Sequence, residues 1–307
     1  MRKLISNGQG IDLIFTGSEL YADIETVYEN YEPWLAVEIN GELVSRFAPV
    51  KGESRICLLK GRAPEKQTRV RLYRELQAML MEENYVTVKD LHFTGRAEEY
   101  KDYDYRFEFI GDSITSGEGT YGAKGDDDWA AYIMSFSKAY PNLISKRFNA
   151  DCNVISQGGW GVYSAWDKNK ENVIPRIYEE YHAAKFGTDS ADAVIINLGT
   201  NDNAVLGEEP DKIKEAMVSF LTTVRENNKG AYIIWAYGMA GHEISSLIDE
   251  AVRIYRQGSG DEKVSFLELP TVTEETFGSR FHPGVKVHET AADLISERLI
   301  KELNKVN

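Results

Sequence analysis

The apolar residues of this chain follow one period up to about residue 100 and a different period after it. In the first part they alternate with polar residues over short runs such as WLAVEI, ELVSRF and RVRLY, which is the pattern of half-buried strands. In the second part, short apolar runs alternate with stretches of helical spacing, which is typical of a parallel sheet with helices on both faces. The sequence therefore predicts an α/β protein, with a jelly-roll-like β-sandwich followed by a doubly wound parallel sheet.

The domain boundaries follow from this change of period. We assign residues 1–98 to the β-sandwich, 99–106 to a linker that overlaps the charged segment GRAEEYKDYDY, and 107–307 to the parallel-sheet domain. In the first domain, Asn40-Gly41 indicates a hairpin with a type I′ turn, and only the segment 74–84 has helical spacing. In the second domain the predicted strands are RFEFIG, CNVIS, AVIINLG, YIIWAYG and VSFLEL. The predicted helices there span about 135–148, 171–184, 211–227, 244–257 and 287–304.

The charge of the chain limits its partners. Its net charge is −14, and Lys and Arg form no long block, so we expect neither nucleic acid nor a membrane surface as partner. No run approaches the roughly 20 apolar residues of a membrane span. No apolar run of signal-peptide length precedes Asn7 and Gly8, so a cytoplasmic location is expected. An exposed edge of the sandwich also allows a homo-oligomer.

Cysteine and histidine give no sign of a metal centre. Cys57 and Cys152 form neither a disulfide framework nor a metal-ligand pair, and we expect no metal and no cofactor. His242 and His282 lie in different loops and have no ligand partners at metal spacing. We expect His92 and His182 to be surface residues, and His288 to pack or be solvated near the start of the last helix.

Residues able to carry out acyl transfer follow four predicted strands. Ser113 comes after the first, the glycine loop SQGGWG after the second and Asn201 after the third, while His282 lies in the loop after the last. Ligands bind at the carboxyl ends of strands in such sheets. Taken singly, these features also occur as a tight turn, a flexible loop, an Asx turn or helix cap, and a surface histidine. Their joint position favours a nucleophile, oxyanion donors and a general base.

The blocks GDSITSG, GTND and HPG resemble those of the SGNH (GDSL-type) hydrolases, and they occur in that family's order over about two thirds of the chain. The resemblance implies that Ser113 is the nucleophile and that its amide is an oxyanion donor. It implies that Asn201 is a side-chain oxyanion donor and that His282 is the general base. The glycine donor is best matched by Gly161, with Gly159 as the alternative.

A β-sandwich ahead of such a domain is similar to carbohydrate esterase family 2, whose members remove acetyl groups from plant polysaccharides. EFIGDSITSGEG and HPGVKVHETA resemble motifs of that family. The resemblance implies a serine esterase that acts on acetylated xylo- or manno-oligosaccharides without a metal or cofactor. Aromatic residues surround the first two loops, namely Trp129, Trp160, Tyr163 and Trp166. Trp160 lies inside the glycine loop, and we expect it to contact the sugar.

One position departs from the superfamily pattern. Many SGNH enzymes place an aspartate three residues before the histidine, but here that position is Ser279 and the next is Arg280. We expect a backbone carbonyl to orient His282, with Glu274 or Glu275 as alternatives. Two other functions remain open, which are an esterase for other acyl esters and a sugar-binding protein with a decayed hydrolase site.

Overall fold

The computed structural model describes residues 1–303 and divides the chain into two compact units. The first unit contains Met1–Tyr103 together with Trp129–Ser137, and the second contains Asp104–Asp128 together with the chain from Lys138 onwards. The excursion Trp129–Ser137 is bound inside the first unit, where the buried Glu75 carboxylate accepts a hydrogen bond from the Ser137 backbone at 2.7 Å. The boundaries predicted from the periodicity do not contain this excursion.

The first unit consists of two antiparallel sheets around an apolar core. Their strand orders are β1-β8-β3-β6 and β5-β4-β7-β2-β9. The strands are β1 (Arg2–Leu4), β2 (Gly10–Thr16), β3 (Glu19–Val27), β4 (Leu35–Ile39), β5 (Glu42–Phe47), β6 (Gly52–Lys60), β7 (Gln67–Arg74), β8 (Tyr85–Phe93) and β9 (Arg96–Glu99). Alternate residues of β3 are buried, as the period of two requires. The predicted β-sandwich is confirmed.

Local structure in this unit agrees with the sequence at one turn and differs at two segments. Asn40 and Gly41 have φ of 52° and 85° between β4 and β5, which is the backbone of the predicted hairpin turn. The charged segment predicted as a linker instead begins with β9, which pairs with β2. After Arg74, the last residue of β7, the segment 75–84 is irregular rather than helical, because several of its carbonyl groups bind a guanidinium. The fully buried Arg74 side chain donates to the carbonyls of Leu76, Gln77 and Asn84.

The second unit is the predicted doubly wound sheet. Its five-stranded parallel sheet, within the part of the chain that is described, has the order β11-β10-β12-β13-β14. These strands are β10 (Tyr105–Gly111), β11 (Ala150–Ser156), β12 (Ala193–Asn197), β13 (Tyr232–Tyr237) and β14 (Val264–Glu268). The helices are α1 (Ser113–Ser116), α2 (Tyr140–Arg147), α3 (Pro175–Phe186), α4 (Pro210–Asn227), α5 (Ser245–Ser259) and α6 (Val285–Leu303). Asn304, the predicted last residue of α6, lies outside the described residues.

Helices cover both faces of this sheet. Apolar residues of α3, α4 and α5 form one core cluster with Ile110, Ile196 and Trp235 of the strands. On the other face, Tyr140 of α2 packs edge-on against Phe109 of β10. Every residue of β12 and β13 is buried, which explains their continuous apolar sequences. Among residues 1–303, no helix has the length and apolarity that a bilayer crossing requires.

Candidate active site

The parallel sheet brings the loops that carry the predicted residues to one edge. Gly111, at the carboxyl end of β10, lies opposite both Ser156 of β11 and Asn197 of β12. The chain leaves β10 toward α1 and leaves β11 and β12 toward the glycine loop and the GTND segment. The strand order reverses direction at β10, and such a reversal opens a crevice at the carboxyl edge.

A serine and a histidine meet at this edge. Ser113 is the first residue of α1, whose cap Asp112 accepts a hydrogen bond from the Ile114 backbone. Ser113 Oγ lies 2.9 Å from His282 Nε2, and His282 Nδ1 lies 2.8 Å from the carbonyl oxygen of Arg280. Because a carbonyl only accepts, Nδ1 carries the proton of the neutral ring and Nε2 is free to accept from the serine hydroxyl. A serine hydroxyl and an imidazole placed in this way can act chemically as a nucleophile and its base.

The loop that carries the histidine has an unusual backbone. Arg280 and Phe281 have φ of 52° and 55°, a conformation that costs a residue other than glycine about 1–3 kcal/mol. Three hydrogen bonds of 2.8 Å hold it in place. The Arg280 backbone donates to the Asp126 carbonyl, its Nη1 donates to the Asp127 carbonyl, and its Nε donates to Glu118 Oε1. Together these bonds fix the carbonyl that faces His282.

A carboxylate lies near the histidine, although it is not one of those expected from the sequence. Glu118 Oε1 is 3.7 Å from His282 Nδ1, beyond hydrogen-bond distance. The side chains of Glu274 and Glu275, the alternatives considered from the sequence, are exposed. The orienting acceptor in the structure is thus the backbone carbonyl of Arg280.

The side-chain amide of Asn201 connects two of the loops. Its Nδ2 donates to Asp112 Oδ2 at 3.1 Å and to the Trp160 carbonyl at 3.0 Å. The amide is therefore fixed between the turn that carries Ser113 and the glycine loop. The structure brings Ser113, Asn201 and His282 together in one site.

Asp202, which follows Asn201, determines the path of the glycine loop. Its buried carboxylate accepts hydrogen bonds from the backbones of Val162, Tyr163 and Ser164 at 2.8–3.0 Å. A Cβ added to Gly161 would lie 2.3 Å from Asp202 Oδ2, so only glycine fits between the loop and this carboxylate. In the GTND block alone, Asp202 is equally typical of an Asx turn or a helix cap, so this role is not visible in the sequence.

Two buried carboxyl groups lie behind the site. Burial, together with the nearby charge of Asp202, raises the pKa of Asp112 to about 7. Burial likewise raises the pKa of Asp202 to about 6, against the opposing effect of its three backbone donors. As pH falls from neutral toward 6, the Asp112 and Asp202 carboxyl groups take up protons, and the negative charge next to Asn201 therefore decreases.

The aromatic side chains around the site differ in their exposure. The Trp160 side chain packs partly buried against the core of the second unit. Trp166, by contrast, is 69% exposed, and its indole lies over Gly159, where an added Cβ would be 2.7 Å from the ring. Phe281, directly before His282, is 72% exposed. No pattern in the sequence distinguishes Phe281 from a core residue. Its position directly before His282 of the HPG block is the one sign that it lies at the site.

The other titratable groups show no metal centre. Within residues 1–303, no three or more His, Cys, Asp or Glu side chains are grouped so that they could hold a metal ion. His288 is fully buried, accepts a hydrogen bond from the Tyr140 backbone at its Nδ1, and stacks on the Tyr140 ring. Burial lowers its pKa to about 3, so the ring is neutral at ordinary pH. It packs in the core, one of the two alternatives expected from the sequence.

Comparison with known proteins identifies the class of this site. The model of the GDSL-like lipase/acylhydrolase family matches residues 109–290, which include Ser113, Asn201 and His282. The chain belongs to this family.

More detailed similarity extends over both units. An acetyl xylan esterase, Est2A from the rumen bacterium Butyrivibrio proteoclasticus, is 37% identical, with a TM-score of 0.92 over 98% of this chain and 92% of that one. A family two carbohydrate esterase from Clostridium thermocellum, solved in complex with cellohexaose, shares the fold at 24% identity. Its TM-score is 0.87 over 98% of this chain and 94% of that one. The cellulase/esterase CelE of Acetivibrio thermocellus is 26% identical over 97% of this chain, which spans 37% of that protein's length.

Proposed function

We propose that the protein is a serine esterase that removes O-acetyl groups from carbohydrate. The observation that carries the proposal is the 2.9 Å contact between Ser113 Oγ and His282 Nε2, with Nδ1 bound to a carbonyl so that Nε2 can accept the serine proton. Membership of the acylhydrolase family supports ester hydrolysis. The similarity to an acetyl xylan esterase over 98% of this chain and 92% of that one supports an acetylated sugar as substrate.

The chemistry proceeds through an acetyl-enzyme. Ser113 Oγ attacks the acetyl carbonyl carbon while its proton passes to His282 Nε2. When the tetrahedral intermediate collapses, the bond between the acetyl carbon and the sugar oxygen breaks, and His282 returns the proton to that oxygen. Water then attacks the acetyl-serine in the same way, and acetate and free Ser113 are the products. Every proton transfer uses the one imidazole nitrogen that faces the serine.

The oxyanion is stabilised by the Ser113 amide, the Gly161 amide and the Asn201 side chain. Such a donor typically contributes about 3 kcal/mol to lowering the barrier. In the free site, both Asn201 Nδ2 hydrogens already have acceptors, Asp112 Oδ2 and the Trp160 carbonyl. Binding of the oxyanion therefore takes one hydrogen from these partners or shares it. Gly161 is preferred over Gly159 because it is buried against Asp202, whereas the indole of Trp166 covers Gly159.

Acetate release tests this function directly. Wild type and Ser113→Ala are incubated with acetylated xylo- and manno-oligosaccharides and with 4-nitrophenyl esters of two, four and eight carbons. We expect acetate from at least one oligosaccharide with wild type alone, and the fastest aryl-ester turnover with acetate. A preference for the eight-carbon ester would instead indicate a different acyl substrate. Failure with every ester, combined with oligosaccharide binding, would indicate a binding protein.

Phe281 offers an aromatic surface for the sugar next to the base. Because its ring is 72% exposed, we expect Phe281→Ala to raise KM for acetylated oligosaccharides about fivefold, the equivalent of about 1 kcal/mol of ring contact. KM for 4-nitrophenyl acetate, which lacks a sugar ring, should stay close to its wild-type value. The control is Ile254→Ala, another exposed apolar side chain, on α5. Equal changes in KM for both substrates would contradict a sugar contact.

A further inference from the structure

Glu118 is a buried charge that the proposed mechanism does not use. It lies in the loop after α1 and is 3% exposed. Its Oε1 is 2.8 Å from Arg280 Nε and 3.7 Å from His282 Nδ1. A carboxylate is seldom removed from water without a partner, and here the partner belongs to the residue whose carbonyl orients the histidine.

The Glu118 loop and the histidine loop are in close contact over several residues. Ser279 Oγ donates to the Tyr121 carbonyl at 2.9 Å. A Cβ added to Gly119 would lie 2.6 Å from His282 Cβ and 3.0 Å from the Ser279 carbonyl oxygen, so only glycine lets the two loops approach this closely. In this contact the Glu118–Arg280 pair is the charged link, and charge-assisted hydrogen bonds of this kind are short and directional.

Arg280 needs such a link because of its backbone. At φ 52° and ψ 33°, it holds the left-handed conformation that side chains other than glycine rarely adopt. Relaxation to the right-handed region would turn the Arg280 carbonyl away from His282 Nδ1. The imidazole would then lose both its fixed orientation and the acceptor that keeps the proton on Nδ1.

We propose that Glu118 is a positioning residue for acyl transfer: its carboxylate holds the Arg280 side chain, and thereby the left-handed backbone of Arg280, so that the Arg280 carbonyl orients His282. The proposal rests on the esterase function proposed above. The carboxylate also places negative charge 3.7 Å from the imidazole that takes the serine proton, although the guanidinium on the same oxygen offsets part of it. Glu118 acts through Arg280 and need not touch substrate.

The first test separates kcat from KM. Glu118→Leu removes the acceptor, and we expect kcat for 4-nitrophenyl acetate to fall about 100-fold through misplacement of the base. KM should stay within about twofold, because substrate contacts are unchanged. Glu118→Gln keeps the shape of the side chain and one acceptor oxygen, and its kcat should fall about tenfold. Glu275→Gln, the same change on an exposed side chain of the histidine loop, should behave as wild type.

A second substitution distinguishes positioning from a general structural role. Glycine adopts the left-handed conformation without support, so Arg280→Gly in the Glu118→Leu background should recover about tenfold in kcat. A Glu118→Leu protein that is folded by circular dichroism and has wild-type kcat would overturn the proposal. So would a double variant no faster than Glu118→Leu. If Glu118→Leu does not fold, Glu118→Gln with and without Arg280→Gly makes the same comparison.

A spectroscopic measurement keeps this inference separate from the esterase assignment. In protein labelled with ¹⁵N-histidine, the Nδ1–H of His282 bound to a carbonyl should give a protected downfield proton resonance. We expect the resonance to weaken or move upfield in Glu118→Gln and to remain in Glu275→Gln. If wild type hydrolyses no ester, the function proposed above fails, while this resonance still decides the role of Glu118. An unchanged resonance in Glu118→Gln would overturn it.

Discussion

Replacing Ser113 by alanine is expected to lower kcat for 4-nitrophenyl acetate by about 10⁴-fold or more, because the acetyl-enzyme can no longer form. His282→Ala should have an effect of similar size, since the hydroxyl is a weak nucleophile without a base 2.9 Å away. The two residues act as a unit, so the double variant should be no slower than the slower single variant. Rates are measured with enzyme in excess, so that residual turnover by a contaminating esterase can be recognised.

A second serine of the same helix provides the control. Ser116 is also buried, and its Oγ is bound to the Asp112 carbonyl and to Ser156 Oγ, away from His282. Ser116→Ala removes one hydroxyl from α1, as Ser113→Ala does, but it should keep kcat within a few fold of wild type. Comparable losses in Ser113→Ala and Ser116→Ala would mean that α1 had been disturbed and would contradict a nucleophilic role for Ser113. Additive losses in the Ser113/His282 double variant would contradict a shared step.

The parts of the site that the sequence predicts are those fixed by the sheet. A buried parallel strand has a continuous apolar sequence, so its end is visible where glycine and polar residues begin. The carboxyl ends of parallel strands share an edge, and this brings Ser113 and Asn201 within one site without knowledge of the loop conformations. His282 could be placed because its loop follows the last strand. A backbone carbonyl was also expected to orient His282, since Ser279 and Arg280 offer no carboxylate, and the structure identifies it as that of Arg280.

The parts that escaped prediction depend on pairs far apart in the chain. Glu118 is one acidic residue among many until Arg280, 162 positions later, is known to bind it. The segment 74–84 has helical spacing, but the side chain of the buried Arg74 donates hydrogen bonds to carbonyl groups of this segment. The expected contact between Trp160 and the sugar stays a prediction, since the Trp160 side chain is partly buried and partly accessible.

His182 shows the same limit most clearly. From the sequence it was expected at the surface, but it is 2% exposed and its Nδ1 lies 2.9 Å from Glu108 Oε1. In RFEFI, Glu108 occupies the polar position of an alternating strand and would face solvent in an antiparallel sheet. Here both faces of the sheet are covered, so Glu108 is fully buried on β10 and requires partners.

These partners make Glu108 the centre of a buried polar network in the second unit. Its Oε1 accepts from Asn153 Nδ2 and bonds His182 Nδ1, both at 2.9 Å. Its Oε2 accepts from the Tyr178 hydroxyl at 2.9 Å and from Asn228 Nδ2 at 3.1 Å. The network joins β10, β11, α3 and the end of α4. Its hydrogen bonds stabilise this unit only while both oxygens can accept.

Glu108→Gln is therefore expected to lower the free energy of unfolding by about 3 kcal/mol or more, because the new amide group would face two donors in a buried site. The control, Glu215→Gln on the exposed side of α4, should stay within about 0.5 kcal/mol of wild type. Both are measured by chemical denaturation with two probes, so that the transition of the second unit is followed separately. A Glu108→Gln protein as stable as the control would show that the network contributes no net stability.

The same variant predicts a pH dependence of stability. The hydrogen bond to the Glu108 carboxylate raises the pKa of His182 above its ordinary value of 6.5, so the folded protein holds the His182 proton more tightly than the unfolded chain does. The stabilisation from this proton is complete below about pH 6.5 and is lost as pH rises through the folded-state pKa. Glu108→Gln removes the acceptor and with it this contribution. We therefore expect the stability difference between wild type and Glu108→Gln to be larger at pH 6 than at pH 9, measured by unfolding at both pH values. A difference that is equal at both, or larger at pH 9, would mean that His182 is neutral in the folded protein and that the carboxylate is stabilised by its uncharged donors alone.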